Sequence, residues 1–339
     1  MDIDTDMKGV FILIEINHLV KKYGNHVAVN DLSLKVEDGK IYGFLGPNGA
    51  GKSTTMNIIT GYLAATSGEV KVNGYDVLKN PEEAKKSIGY LPELPPVYMD
   101  MTVMEYLKFV AELKKIPKKD TKAHIDEIID MTKLNDVSGR MIRNLSKGYR
   151  QRVGLAQALI GYPDVIILDE PTVGLDPKQI IEIRELIKSL KKKHTVILSS
   201  HIMQEINAVC DYVFIISKGK LVASDNIENI GNYASQKGVI EAVIKGEETD
   251  INMALQGIDA ITSSNMEKTD DGMWKVIINT SGDKDIREEL FYALSERKLP
   301  IMYLNKKESS LEEIFLELTE SQNDEKESNK EEEENVSNL

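Results

Sequence analysis

The chain has 339 residues, which is enough for two or three domains, and its 41% hydrophobic content is typical of a globular protein. A formal net charge of −13 argues against nucleic acid as the main partner, because contacts to phosphates need clustered Lys and Arg. The single cysteine, Cys210, excludes an internal disulfide and fits a reducing compartment. No apolar run approaches the length of a membrane span, so we expect another chain to make any membrane crossing.

The chain begins with a predicted N-terminal extension, residues 1–13. Alternating apolar and polar residues then predict strands over Ile14–Leu19 and Leu32–Val36. Tyr23 lies between these strands and upstream of a glycine-rich loop. Its ring is either a stacking platform for a nucleotide base or an ordinary turn tyrosine packed on a strand edge.

The glycine-rich loop has the G-x-x-x-x-G-K-[ST] pattern, and it stands between a buried apolar run and a predicted helix, as that motif requires. Its residues are Gly46, Pro47, Asn48, Gly49, Ala50, Gly51, Lys52, Ser53 and Thr54. Glycines allow backbone N–H groups to converge on phosphate oxygens, and the helix N-terminus adds positive dipole density. In this motif, Lys52 reaches the β- and γ-phosphates and the Ser53 hydroxyl binds Mg²⁺. The sequence therefore predicts a nucleoside triphosphate site.

A helical insertion is predicted at about residues 94–160, between two strands of an α/β core. Three prolines near its start interrupt regular structure and leave an irregular connection around Glu93. Thr102 and Glu105 have the spacing of a capping box, which predicts the start of a helix. Residues 120–133 repeat apolar side chains at helical spacing.

A continuous apolar run, Val165–Leu168, predicts a strand buried on both faces, and it ends in Asp169 and Glu170. Two carboxylates beside a phosphate loop are better explained by Mg²⁺ binding and a general base than by a helix cap. His201 follows another buried strand, at the end where open α/β sheets place ligands. A single histidine is more often structural, so His201 depends on the other motifs for its interpretation.

These motifs, in this order, resemble the ATP-binding cassette (ABC) family over roughly residues 14–232. Gly46–Thr54 is similar to the family's Walker A loop, and Val165–Glu170 to its Walker B strand. Leu145–Tyr149 is similar to the signature motif, although it reads Leu-Ser-Lys-Gly-Tyr instead of the usual Leu-Ser-Gly-Gly-Gln. Both this variant and Glu93, where Gln is usual, look like those of prokaryotic exporter cassettes of the multidrug, sodium and gliding-motility type.

The resemblance implies a role for each matching residue. Tyr23 is the base-stacking aromatic, Glu170 is the general base, and His201 contacts the γ-phosphate. The Mg²⁺ ligands are Ser53, Asp169 and Glu93. Ser146 and Gly148 meet the γ-phosphate from the other subunit of a head-to-tail pair that holds two ATP molecules between the cassettes. Asp176, in a segment similar to the family's D-loop, is a further nucleotide-binding residue.

A small α+β domain, ferredoxin-like, is predicted at residues 236–320, after a cassette that spans 14–235. Strand and helix patterns in roughly βαββαβ order are followed by a last helix that begins with a capping box at Ser310. Residues 321–339 are almost free of apolar side chains and predict a disordered acidic tail. The predicted fold class is thus an α/β P-loop NTPase of the ABC type with a helical insertion, a small C-terminal domain and a tail.

We expect an ATP-binding and ATP-hydrolysing subunit of an ABC transporter, of the exporter type. Its partners are a membrane-spanning permease encoded as a separate chain and a second cassette, in a homodimer or heterodimer, and no nucleic acid. The expected location is the cytoplasmic face of the plasma membrane. Two alternatives are an ABC ATPase that acts on ribosomes or DNA and a regulatory cassette that binds ATP without hydrolysing it.

The segment Glu93–Met101, with the helix that begins at Thr102, is the expected docking surface for the permease. Val97, Tyr98 and Met99 are consecutive apolar residues in a stretch that otherwise reads as surface. The alternative is that these side chains only cover the base of the helical insertion.

Overall fold

The computed structural model describes residues 11–233, 238–281 and 285–307. The last predicted helix, the acidic tail and most of the N-terminal extension lie outside these ranges. The chain divides into two compact units, Met1–Ile227 and Glu228–Leu339, which are described separately below.

The first unit contains a six-stranded sheet and a four-stranded sheet. Its strands are β1 (Ile12–Tyr23), β2 (His26–Glu37), β3 (Ile41–Leu45), β4 (Ser67–Val72), β5 (Tyr75–Asp76), β6 (Ile88–Leu91), β7 (Val165–Asp169), β8 (Thr195–Ser200), β9 (Tyr212–Ser217) and β10 (Lys220–Asn226). Its α-helices are α1 (Lys52–Ile59), α2 (Pro81–Lys86), α3 (Val103–Leu113), α4 (Lys118–Met131), α5 (Lys147–Leu159), α6 (Pro177–Leu190) and α7 (Met203–Val209), and short 3₁₀ segments lie at Asn135–Val137 and Ile142–Asn144. A third 3₁₀ segment, Ile227–Tyr233, begins at the last residue of this unit.

The six-stranded sheet has the order β10-β9-β3-β8-β7-β6. All its neighbouring strands are parallel except β10, which pairs antiparallel with β9. Every residue of β3, β7 and β8 is buried, which explains why these strands read as continuous apolar runs in the sequence. Parallel pairing brings their carboxyl ends to one edge, where Leu45 pairs with Ser200 and Asp169 pairs with Ser199.

The helical insertion joins β6 to β7 and contains α3, α4 and α5. The predicted capping box is present, because Thr102 Oγ1 accepts the Glu105 backbone N–H while the Glu105 carboxylate accepts the Thr102 N–H. The buried side of α3 includes Tyr106, Leu107 and Val110, so its apolar residues recur at the spacing of one helix face.

The second unit follows the order βαββαβ over its described residues. Its elements are β11 (Val239–Ile244), α8 (Glu248–Leu255), β12 (Ile261–Lys268), β13 (Trp274–Thr280), α9 (Arg287–Glu296) and β14 (Ile301–Lys307). The sheet is antiparallel with the order β12-β13-β11-β14, which is the ferredoxin-like arrangement. Alternate residues of β11, among them Ile240 and Ile244, share a core with Leu290 and Leu294 of α9.

Candidate active site

The loop Gly46–Thr54 leads from the end of β3 into α1, as the sequence predicts. Gly49 and Gly51 have φ values of 82° and 103°, in the left-handed region where a side chain is strained. A Cβ on Gly51 would also lie 2.5 Å from the carbonyl oxygen of Ala28. Glycine is therefore required at position 51, both by its conformation and by the close approach of the neighbouring backbone.

Lys52 is the first residue of α1, and it is only 5% exposed. Its Nζ donates hydrogen bonds to the carbonyl oxygens of Gly46, at 2.8 Å, and Pro47, at 3.3 Å. Glu170 Oε1 lies 3.6 Å from the same Nζ. Burial lowers the pKa of Lys52, and the nearby carboxylates of Glu170 and Asp169 oppose that shift by favouring the ammonium. The loop thus holds a buried cation next to its own backbone.

Asp169 ends β7, and its Oδ1 accepts hydrogen bonds from the hydroxyls of Ser53, at 3.2 Å, and Ser199. A carboxylate beside a hydroxyl supplies the hard oxygen donors that Mg²⁺ prefers. Within the described ranges, no group of three or more Asp, Glu, His or Cys side chains is close enough to hold a metal by itself. The donor set fits a magnesium ion that is bound jointly by the protein, phosphate oxygens and water.

Glu170 combines a strained backbone with a buried carboxylate. Its φ of 49° is left-handed, which costs about 1–2 kcal/mol for a residue with a Cβ. The residue is 7% exposed, and its two carboxylate oxygens lie 3.0 and 3.1 Å from His201 Nδ1. Backbone strain of this kind persists where the surrounding structure imposes it, often at functional sites. Glu170 and His201, which are 31 residues apart in the chain, are therefore held together as a hydrogen-bonded pair.

The loop, the carboxylate and the histidine surround one cleft of about 490 Å³. Its lining consists of Tyr23, His26, Ala28, Asn48, Gly49, Ala50, Gly51, Lys52, Ser53, Thr54, Glu93, Glu170, Val173 and His201. Tyr23 is 49% exposed there, so its ring is accessible to a flat ligand. Lys21 Nζ lies 5.1 Å from the ring centroid, in a cation–π contact. The structure thus brings Tyr23, Glu93, Glu170 and His201 to the phosphate loop.

Six predicted site residues do not line this cleft. Gly46, Pro47 and Asp169 contact Lys52 or Ser53 from behind its lining, whereas Ser146, Gly148 and Asp176 lie in other segments. Ser146 is the N-cap of α5, and Asp176 is the N-cap of α6, where its carboxylate accepts the Gln179 N–H at 3.0 Å. Gly148 packs so closely on Gln179 that a Cβ would overlap the Gln179 side chain. The signature motif and the start of α6 therefore form a second surface of the same chain.

Several residues near the cleft have no motif in the sequence. His26 and Ala28 of β2 line the cleft although nothing in the sequence distinguishes them from other residues of a half-buried strand. Thr172 follows Glu170 closely in the chain, and Glu205 follows His201. Both are buried, and they are hydrogen-bonded to each other. The only sequence signal for this group is the polar pair Ser199 and Ser200 at the end of an apolar strand.

This arrangement defines a P-loop ATPase of the cassette class, and comparison with known proteins agrees. Residues 29–173 match the family described as "ABC transporter". The bacitracin transport ATP-binding protein BcrA of Bacillus licheniformis is 34% identical over 308 residues, which are 90% of this chain and 97% of that protein. The linearmycin resistance ATP-binding protein LnrL of Bacillus subtilis is 28% identical over 91% of this chain and 98% of its own length.

The solved structure of cbiO1 from Clostridium perfringens, described as part of the ABC transporter complex cbiONQ, matches with a TM-score of 0.60. It shares 26% identity over 65% of this chain and 90% of that one. The chain therefore belongs to the ABC transporter family, as an ATP-binding subunit that hydrolyses ATP. The predicted family, cassette fold and ATPase activity are confirmed. No helix among the described residues is long and apolar enough to cross a membrane.

Proposed function

We propose that this chain powers an exporter, by closing and opening as one of two cassettes attached to a separate membrane-spanning permease. One observation carries the proposal: the site is divided between two surfaces of the chain. The cleft contains Lys52, Glu170 and His201, whereas Ser146 and Asp176 lie elsewhere. A head-to-tail pair, in either a homodimer or a heterodimer, brings the signature surface of one copy to the cleft of the other.

The chain's own residues divide the work on ATP. Tyr23 stacks on the base, and the phosphate loop with Lys52 binds the phosphates. Glu170 orients the attacking water and accepts its proton, and His201 holds Glu170 and the γ-phosphate in place. Because Lys52 Nζ is bonded to the carbonyls of Gly46 and Pro47, phosphate oxygens replace these two acceptors when the nucleotide enters.

The proposal includes Mg²⁺ held by Ser53 and Asp169, with Glu93 at the rim of the cleft as a further oxygen donor. The ion neutralises charge on the phosphate oxygens. Asp169 is already oriented, since Ser199 and Ser53 both donate to its Oδ1. Glu93 replaces the usual Gln of the family with a full negative charge.

The permease docks on the surface Glu93–Met101 and the start of α3, at the cytoplasmic face of the plasma membrane. Tyr98 is 55% exposed, although its ring edge packs on Phe109 with centroids 5.4 Å apart. Leu94 and Met99 on the same segment are also exposed. Because Glu93 lines the nucleotide cleft, this surface adjoins the site where the γ-phosphate is lost.

The domain organisation belongs to the same proposal. The cassette takes residues 14–235, with its helical subdomain at about 94–160, and residues 236–320 form an accessory domain. The names of BcrA and LnrL refer to bacitracin transport and linearmycin resistance, and they support an exporter over an ATPase that acts on ribosomes or DNA.

The test is co-purification of the full chain with membranes that contain the permease, for the double variant Tyr98→Gln, Met99→Gln. We expect membrane association to fall at least fivefold while the ATPase rate of the isolated protein stays within twofold, because neither residue lines the cleft. Leu78→Gln, which changes another exposed apolar side chain of the cassette, is the matched control. Unchanged association in a folded double variant would refute the docking surface.

A further inference from the structure

Glu205 is a buried carboxylate outside the cleft. It lies in the first turn of α7 and is 3% exposed. A buried carboxylate is costly unless hydrogen bonds or opposite charges compensate for its lost hydration. Its partners therefore identify what it holds together.

Both oxygens of Glu205 accept hydrogen bonds from buried hydroxyl groups. Thr172 Oγ1 donates to Oε1, and Ser200 Oγ donates to Oε2 at 2.9 Å. Arg184 Nη2 of α6 lies 3.9 Å from Oε1. One side chain thus joins the turn after β7, the end of β8 and the helix that begins next to Asp176.

The two hydroxyl donors stand next to the reacting groups. Thr172 lies two residues after Glu170, and Ser200 directly precedes His201. The Glu170 backbone is left-handed, and its N–H group is bonded to Ser199 O at 3.2 Å. A strained turn of this kind keeps its geometry only while neighbouring contacts hold it.

We propose that Glu205 is a positioning residue for ATP hydrolysis. By bridging Thr172 and Ser200, it fixes the distance between the segment that carries Glu170 and the segment that carries His201. It does not line the nucleotide cleft, so it acts on the rate of the chemical step and not on ATP affinity. The inference rests on the roles proposed above for Glu170 and His201.

The decisive variant is Glu205→Leu, which keeps the volume and removes both hydrogen-bond acceptors. We expect kcat to fall at least tenfold while KM for ATP stays within twofold, because the phosphate loop and Tyr23 are untouched. Glu205→Gln retains one acceptor and adds a donor, so its kcat is expected within threefold of wild type. Glu185→Leu, the same change at an exposed position of α6, is the control for both kcat and thermal unfolding.

Thr172→Val removes one hydroxyl with almost no change in shape. It replaces Glu205→Leu as the test if that variant does not fold. Its kcat is expected to fall at least threefold at unchanged KM. A folded Glu205→Leu or Thr172→Val with wild-type kcat would overturn the inference. So would a Glu205→Gln variant as slow as the leucine variant.

A second measurement does not depend on activity. In protein labelled with ¹³C-histidine, the NMR resonance of His201 should shift in Glu205→Leu, while that of exposed His18 stays in place. An unmoved His201 resonance would overturn the inference. If Glu170→Gln kept turnover but His201 still shifted, the proposed catalytic roles would fail and the Glu205 bridge would stand.

Discussion

The two units of the chain bury different kinds of side chain. The cassette buries Lys52, Asp169, Glu170 and Glu205, all charged, around one edge of its parallel sheet. In the described part of the C-terminal unit, Thr280 is the only buried polar side chain. Because a buried charge weakens a fold unless it is compensated, the cassette accepts a cost at this edge that the described core of the C-terminal unit does not carry.

The two sheets differ in the same way. Strands β3 and β7 are buried along their whole length, and their polar residues come only after the last apolar one. In β11, by contrast, fully buried residues alternate with partly exposed ones. A sheet buried on both faces can place functional groups only at its ends, whereas the ferredoxin-like sheet has a whole face outside its core.

The largest effect that tests this comparison is expected from Glu170→Gln. The amide keeps the shape of the side chain but cannot accept a proton, so we expect kcat to fall by about 10²–10⁴-fold. ATP binding is expected to persist, and an ATP-bound dimer should accumulate on gel filtration. Glu241→Gln, which changes a surface carboxylate of the C-terminal unit paired with Lys275, should leave the rate unchanged. A Glu170→Gln variant that turns over near the wild-type rate would show that the base lies elsewhere.

An intermediate effect, on stability instead of activity, is expected from Leu290→Ala in the core of the C-terminal unit. Leu290 is fully buried, and truncation of such a leucine costs about 2–5 kcal/mol. We expect hydrogen exchange to accelerate at the amides of β11 and β13, with no change in the ATPase rate. Phe291→Ala, at the exposed neighbouring position, should alter neither. If the ATPase rate fell with the stability of this unit, the expectation that hydrolysis depends only on the cassette would be wrong.

The smallest effect is expected from Tyr23→Ala, which removes one aromatic stack from the cleft. We expect ATP affinity to weaken by about 1–2 kcal/mol. The kcat should be nearly unchanged, because the ring binds the base and takes no part in the reaction at the γ-phosphate. Tyr23→Phe should bind as wild type, and Tyr75→Ala, at a similarly exposed tyrosine of β5, should have no effect. Equal ATP affinity in Tyr23→Ala would return this residue to the role of a packed turn tyrosine.

The sequence was most informative where a single physical requirement fixes both residue type and spacing. The phosphate loop, the buried run before Asp169 and the capping box at Thr102 all belong to this group, and the structure has each of them. Strand β12 lacked such a signal, because its residues are mostly polar and exposed at a sheet edge.

Contacts between segments that are distant in the chain could not be predicted from the sequence, because they depend on which strands become neighbours in the fold. Glu205 occurs in a short amphipathic helix, and nothing near it in the chain indicates that Thr172 will be its partner. The pairing arises only when β7 and β8 lie side by side, with Asp169 opposite Ser199. Likewise, only the folded chain shows that His26 and Ala28 of β2 line the same cleft as His201.

The direct pairing of β6 with β7 also affects which parts of an ATPase of this kind can change during evolution. Strand β6 ends at Leu91 and β7 begins at Val165, and the two strands pair in parallel from Ile88 with Val165 to Leu91 with Leu168. The intervening segment, residues 92–164, is therefore held at both ends by the sheet itself. Insertions, deletions and substitutions in the exposed part of this segment, which includes Leu94, Tyr98 and Met99, leave the register of Asp169 unchanged. Evolution can therefore change the proposed docking surface around Tyr98 while Asp169 and Glu170, at the end of the neighbouring strand, stay in place.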